Sequence, residues 1–215
     1  MKQTLSNLLT GVLVVCALVV TGLMVRREFA GPTGPETSNV TGWEKIAREG
    51  RSLGSPGAPV TIVEYSDFQC PFCAQAHQSL KQVRAKYGDR VNVVFRHYPL
   101  ESHAHAFEAA VASECAAEQG KFDPYHDRLF TLQDSIGVRG WEQFARDAGV
   151  GDIPAFNQCL ESTAVRGRVE RDRKLGAGLG TRGTPTFIVN GTMFKGAQTP
   201  AQWDTWIERA LARAE

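Results

Sequence analysis

The stretch with the clearest capacity for chemistry is Cys70-Pro71-Phe72-Cys73. An apolar, β-rich run, Val60-Thr61-Ile62-Val63-Glu64-Tyr65, leads into it, and a helix-like run, Ala74 to Lys86, follows. The first cysteine therefore falls at the start of a helix. Unpaired backbone N–H groups and the helix dipole stabilise negative charge there, and the thiolate is the reactive form of cysteine. Cys70 is expected to be the attacking, more exposed thiol. Cys73, one turn inside, is expected to be more buried and to resolve a mixed disulfide by attacking Cys70. Their spacing puts both sulfurs on one side of the first turn, within bonding reach.

Composition sets the frame for that pair. The chain has 215 residues, 42% hydrophobic and 22% charged, which suits one globular domain with a proper core plus appended segments. A formal net charge of +1 gives no broad electrostatic case for nucleic acid. Five cysteines, Cys16, Cys70, Cys73, Cys115 and Cys159, are too few for a disulfide-scaffolded mini-protein.

The N-terminal residues 1–25 read as a membrane segment. Leu8 to Val25 is eighteen residues without a charge, about 27 Å as a helix and near the hydrocarbon thickness of a bilayer. It exceeds a signal-peptide core and lacks a small-x-small cleavage site, so an uncleaved single-pass anchor is expected over a cleaved signal. Cys16 reads as a cysteine packed in an apolar helix. The flanking charges, Lys2 against Arg26 and Arg27, argue for the opposite orientation. Even so, an N-terminal apolar segment and the thiol chemistry together put the domain on the periplasmic or extracytoplasmic side. Residues 26–42, with Gly31-Pro32-Thr33-Gly34-Pro35 and little apolar content, read as a flexible tether.

Residues 43–215 read as the domain. Trp43, Ile46 and Ala47 mark a short amphipathic piece, Val60 to Tyr65 a buried strand, and Val91 to His97 a second strand. A helical stretch from about 103 to 179 follows, punctuated by Gly120, Gly137, Gly149 and Gly151. Thr184 to Val189, opened by Pro185, and Thr192 to Lys195 read as strands joined by the hairpin turn Asn190-Gly191. Thr199 caps a last helix with Pro200 in its first position. The order is β-α-β, helical insertion, β-β-α, with the first two strands parallel across a helix.

This layout, with Asp67-Phe68-Gln69-Cys70-Pro71-Phe72-Cys73, Glu118-Gln119-Gly120-Lys121-Phe122 and Gly183-Thr184-Pro185-Thr186-Phe187, resembles the DsbA-like thiol–disulfide oxidoreductases. These are α/β proteins of thioredoxin-like fold with a helical insertion. The resemblance covers about 54–211. It implies that Pro185 is a cis-proline facing the cysteines, so that Thr184 and Pro185, with Pro71 and Phe72, contact an extended substrate polypeptide; the alternative is that Pro185 only opens an edge strand. It also implies that Glu64 is a buried acid of raised pKa that relays the proton of Cys73; the alternative is that strand alternation turns it to solvent. Strongly oxidising relatives often carry His where this chain has Phe72, so a weaker oxidant is expected.

Cys115 and Cys159 each fall on an apolar helix face. They are either two inert thiols or, as expected for an exported protein, a structural disulfide. His97, His103 and His105 read as loop or surface histidines. A metal site from them, or from Cys70, Cys73 and His77, lacks a fourth ligand; no metal and no cofactor beyond the redox-active disulfide is expected. The chain thus reads as a membrane-tethered enzyme that oxidises cysteines of reduced or unfolded exported polypeptides. A DsbB-like or vitamin-K-epoxide-reductase-like membrane partner would reoxidise it. A reductase or isomerase of the same fold, and a chaperone-like binding module with incidental cysteines, are the competing readings.

Overall fold

The computed structural model describes residues 14–22, 24 and 36–213. The chain divides into Met1–Glu36 and Thr37–Glu215. Within the first unit, residues 14–22 are helical and exposed, and the Thr21 hydroxyl donates to the Ala17 carbonyl at 2.8 Å. No helix among the described residues is long and apolar enough to cross a membrane. Much of the span expected at 8–25, and residues 26–35 of the tether, lie outside the described residues.

The second unit is built on a six-stranded sheet. Its strands are β1 (Ser38–Asn39), β2 (Arg51–Ser52), β3 (Val60–Ser66), β4 (Val91–His97), β5 (Thr186–Val189) and β6 (Thr192–Lys195), in spatial order β1-β6-β5-β3-β4-β2. Only β3 and β4 run parallel. The crossover between them is α2 (Pro71–Tyr87); α1 (Trp43–Arg48) precedes β2. The helical insertion comprises α3 (Ala106–Ala117), α4 (Phe122–Thr131), α5 (Trp141–Asp147), α6 (Ile153–Leu160) and α7 (Thr163–Gly178), and α8 (Pro200–Leu211) closes the unit. Ser38 and Asn39, read from sequence as tether, add an edge strand to β6, and Val40 is buried beside it. A two-residue strand carries no periodicity for a sequence reading to detect.

Both faces of the sheet are covered, which explains the unbroken burial of β3 and β4. Val60, Ile62, Val93, Phe95 and Phe187 join the larger core beneath α2, α8 and the insertion. Val63, Tyr65, Val94 and Ile188 point the other way, against α1 and the end of α7. Trp203 of α8 is fully buried, and its indole N–H donates to Ser79 Oγ of α2 at 3.1 Å. Removing such an indole costs about 3–5 kcal/mol, so this contact fixes α2, and with it the cysteine turn, against the sheet.

Local sequence explains the joints. Pro71 sits in the first turn of α2, where its missing N–H costs no helical bond. Thr199 and Gln202 form a reciprocal capping box at the start of α8. Asn190 and Gly191 both have positive φ, 42° and 89°, as a tight hairpin turn requires. The Asn190 side chain also bonds back to β3, accepting from Thr61 N–H at 2.8 Å and donating to the Pro59 carbonyl at 2.9 Å.

Candidate active site

The end of β3 and the start of α2 bring the cysteines to the edge of the sheet. Asp67, almost fully buried, organises the turn between them. One carboxylate oxygen accepts from the Gln69 N–H at 2.7 Å; the other accepts from the Leu100 N–H and from His103 Nδ1, both at 2.8 Å. Gln133, from the insertion, donates to the Phe68 and Cys70 carbonyls at 2.7 and 3.0 Å. Phe68 stacks on Phe95 with centroids 5.1 Å apart. The turn is thus held from β4, from the loop after it and from the insertion at once.

Cys70 occupies the N-cap of α2, and its Sγ lies 3.3 Å from the Thr184 carbonyl. The Thr184–Pro185 peptide bond is cis, and the segment that leads into β5 lies against the helix start. Cys70 is only 4% exposed and Cys73 fully buried. The attacking thiol is therefore more enclosed than its position suggested, because the 183–185 segment lies over it. Phe72, by contrast, is 62% exposed, so the apolar side chain between the cysteines faces outward beside the thiol.

Electrostatics separate the two thiols. A hydrogen bond from the Cys73 side chain, a further one from Thr184 and the N–H groups of Phe72 and Cys73 outweigh burial and lower Cys70 to about 6. Burial first, and then the hydrogen bond to Cys70 and the nearby Glu64 charge, push Cys73 well above its ordinary value. One thiolate per site is the stable arrangement at neutral pH, and it resides on Cys70.

Glu64 is 1% exposed. Its strand has no solvent face, so alternation turns it into the larger core. Its register partners there are Phe95 of β4 and Phe187 of β5, neither able to bond a carboxylate. Burial accordingly raises its pKa to about 7, with the Cys70 charge adding to the shift.

The remaining expected residues divide. Cys115 of α3 and Cys159 of α6 are joined by an S–S bond of 2.04 Å. Cys16 is an exposed free cysteine of the first unit. His97 is not a surface histidine: it is 2% exposed and meets Glu114 at 3.1 Å. Glu114 also accepts from Arg51 and from Arg168 Nε. Burial opposes its charge, but Arg51 and His97 hold it well below the usual carboxylate range. His103 supports Asp67, as above, and the His105 N–H binds the Gln69 side chain at 2.6 Å. Sequence reasoning missed Gln133, His126 and Glu114. Only Glu114 left a trace, a charge within the run 109–117 of α3, which is otherwise alanine, valine and cysteine but for Ser113.

A helix-start cysteine pair facing a cis-proline, with a buried acid behind it and a helical insertion above, defines a thioredoxin-like protein of the DsbA kind. A family model described as thioredoxin matches residues 47–209, and the chain belongs to that family. Among solved structures it is similar to a thioredoxin-like oxidoreductase from Silicibacter pomeroyi DSS-3, at 27% identity and TM-score 0.65, covering 78% of this chain and 94% of that one. The fold is also that of alpha-DsbA1 from Wolbachia pipientis (24% identity, TM-score 0.66, 77% and 92% covered). Oxidised BdbD from Bacillus subtilis shares it as well (21% identity, TM-score 0.70, 83% and 98% covered). Among curated proteins, 146 residues are 42% identical to part of the Na(+)/H(+) antiporter NhaA 1 of Mycolicibacterium gilvum, 66% of this chain and 24% of that protein. The chain spans about a quarter of the length of the curated relatives it matches.

Proposed function

We propose that this chain is a thiol–disulfide oxidoreductase that donates the Cys70–Cys73 disulfide to cysteine pairs in exported polypeptides. The carrying observation is the contrast between the two thiols: Cys70, lowered to about 6 at the helix start beside cis-Pro185, against Cys73, buried and raised. In the oxidising direction, a substrate thiolate attacks Cys70 Sγ, the Cys70–Cys73 bond breaks, and its electron pair goes to Cys73, which takes a proton from Glu64. A second substrate thiolate then attacks the substrate sulfur of the mixed disulfide, and Cys70 leaves as the thiolate. The two electrons of the substrate pair remain on the enzyme.

The stable Cys70 thiolate favours the reduced enzyme and hence disulfide donation. A Cys70 thiol lowered by Cys73 and by the helix start shifts in the direction that thiols of disulfide-donating proteins take. Thr184, Pro185, Pro71 and the outward Phe72 offer backbone and an apolar surface to an extended substrate without reading its sequence. The apolar stretch 8–25 anchors the enzyme to the membrane, with the domain on the extracytoplasmic side. That 146 residues of this chain match part of proteins named as Na(+)/H(+) antiporters supports a membrane setting. A membrane partner of the DsbB or vitamin-K-epoxide-reductase kind returns the disulfide, and the tether raises its effective concentration.

Thiol trapping of the chain in cells tests the direction: a mostly oxidised Cys70–Cys73 pair is expected, and a mostly reduced pair would make it a reductase or isomerase. In vitro, the oxidised protein should restore disulfides to a reduced, unfolded substrate, and Cys70→Ala should abolish this. Folding assistance that survives Cys70→Ala would instead favour a binding module.

A further inference from the structure

Behind Glu64, on the side of the sheet covered by α2 and α4, lies a small cavity with about 10 Å³ open to the centre of a water molecule, room for about one water. Glu64 lines it from β3, His77, Lys81 and Arg84 from α2, and His126 from α4; the rest of its wall is aliphatic. Three buried polar atoms of these residues have no partner in the protein: Glu64 Oε1 and both ring nitrogens of His126. Glu64 and His126 are 1% and 2% exposed. Polar atoms so deeply buried are normally satisfied, and one water in this cavity can join Glu64 Oε1 to one nitrogen of His126.

The cavity leads outward. The His126 and His77 rings lie edge to face with centroids 5.0 Å apart. His77 Nε2 lies 3.1 Å from Asp127 Oδ1, and Asp127 has 32% of its side chain exposed and is paired with Lys81 at 2.8 Å. Arg84 is held by Asp123 at 2.7 Å, so the cations at the cavity wall are each engaged by a carboxylate on its outer side. Burial, the first cause for both imidazoles, lowers His77 and takes His126 well below its ordinary value, with Lys81 and Arg84 adding to both. A neutral imidazole accepts a proton on one nitrogen and gives one from the other.

We propose that one water in this cavity joins Glu64 to His77, with His126 holding it from the other side, and that the water and His77 form a proton path between Cys73 and solvent at Asp127. The proposal rests on the oxidoreductase reading above. When the Cys70–Cys73 bond breaks, Cys73 takes the Glu64 proton as the electron pair arrives on its sulfur. Glu64 is then reprotonated by the cavity water, which His126 orients and which is resupplied through His77 from solvent at Asp127. During reoxidation the same proton leaves by the reverse route. Histidines 77 and 126 touch no reacting sulfur; they are positioning residues that act through Glu64.

The test is single-turnover reduction of the oxidised full chain by dithiothreitol from pH 5 to 8, in H₂O and D₂O, for wild type, His126→Gln and His77→Gln. The Cys70 thiolate absorbance at 240 nm reports whether the site is intact. With that absorbance unchanged, each variant is expected to react about tenfold more slowly, at the low end of the usual contribution of acid–base catalysis, with a larger solvent isotope effect. Should His126→Gln not fold, His77→Gln at the outer end decides alone. Variants that keep the wild-type rate, pH profile and isotope effect overturn the path, as does a slower rate with an unchanged isotope effect. A wild-type protein that does not exchange with dithiothreitol overturns the oxidoreductase reading instead.

Discussion

Glu64→Gln offers a direct measure of the buried acid. In the folded protein Glu64 is raised to about 7 from 4.5, chiefly by burial. A carboxyl with a raised folded pKa binds its proton more tightly in the native state than in the unfolded chain. Its stabilising contribution is therefore full below about pH 4.5 and is lost as pH rises through 7. The gap, at roughly 1.4 kcal/mol per pH unit, amounts to about 3 kcal/mol. Glutamine has the same shape and no charge, so it escapes that loss. Urea unfolding of reduced wild type and Glu64→Gln at pH 4.5, 6 and 8 isolates this contribution, because titrations common to both proteins cancel. The variant should match wild type within about 1 kcal/mol at pH 4.5 and exceed it by about 3 kcal/mol at pH 8, with equal m-values. A difference that stays flat across this range would refute the buried, raised carboxyl and with it the proton donor to Cys73.

Three further outcomes follow from the site. The reduced protein should gain thiolate absorbance at 240 nm with a midpoint near pH 6, and Cys70→Ser should abolish that step; a midpoint near 9 would show that the Thr184 and helix-start contacts do not stabilise the anion. Phe72→His should make the protein more oxidising in equilibrium with glutathione, and a wild-type potential as low as roughly −270 mV would rule out a disulfide donor. The Cys115–Cys159 bond closes a sequence separation of 44 residues, so Cys115→Ala/Cys159→Ala should lose about 4 kcal/mol of stability by chain entropy. Thiol counting on the unfolded, unreduced protein should find neither of these cysteines free.

The cysteine pair, the proline-led strand and the β-α-β, insertion, β-β-α order were legible in sequence because each has a local cause. A helix start is written in Cys70-Pro71, a hairpin in Asn190-Gly191, a cap in Thr199-Pro200. What tertiary structure alone decided is the environment of those residues. The fate of Glu64 depends on whether its strand has a solvent face, and that is settled by helices far along the chain covering both sides of the sheet. Cys70 is enclosed by a segment more than a hundred residues away, through the Thr184 carbonyl. Gln133 grips the Phe68 and Cys70 carbonyls across 65 and 63 residues. His126 reaches the back of the site only because α4 lies against α2. Local sequence specifies which groups can react; desolvation and long-range hydrogen bonds set their pKa values, and those exist only once distant elements have packed together.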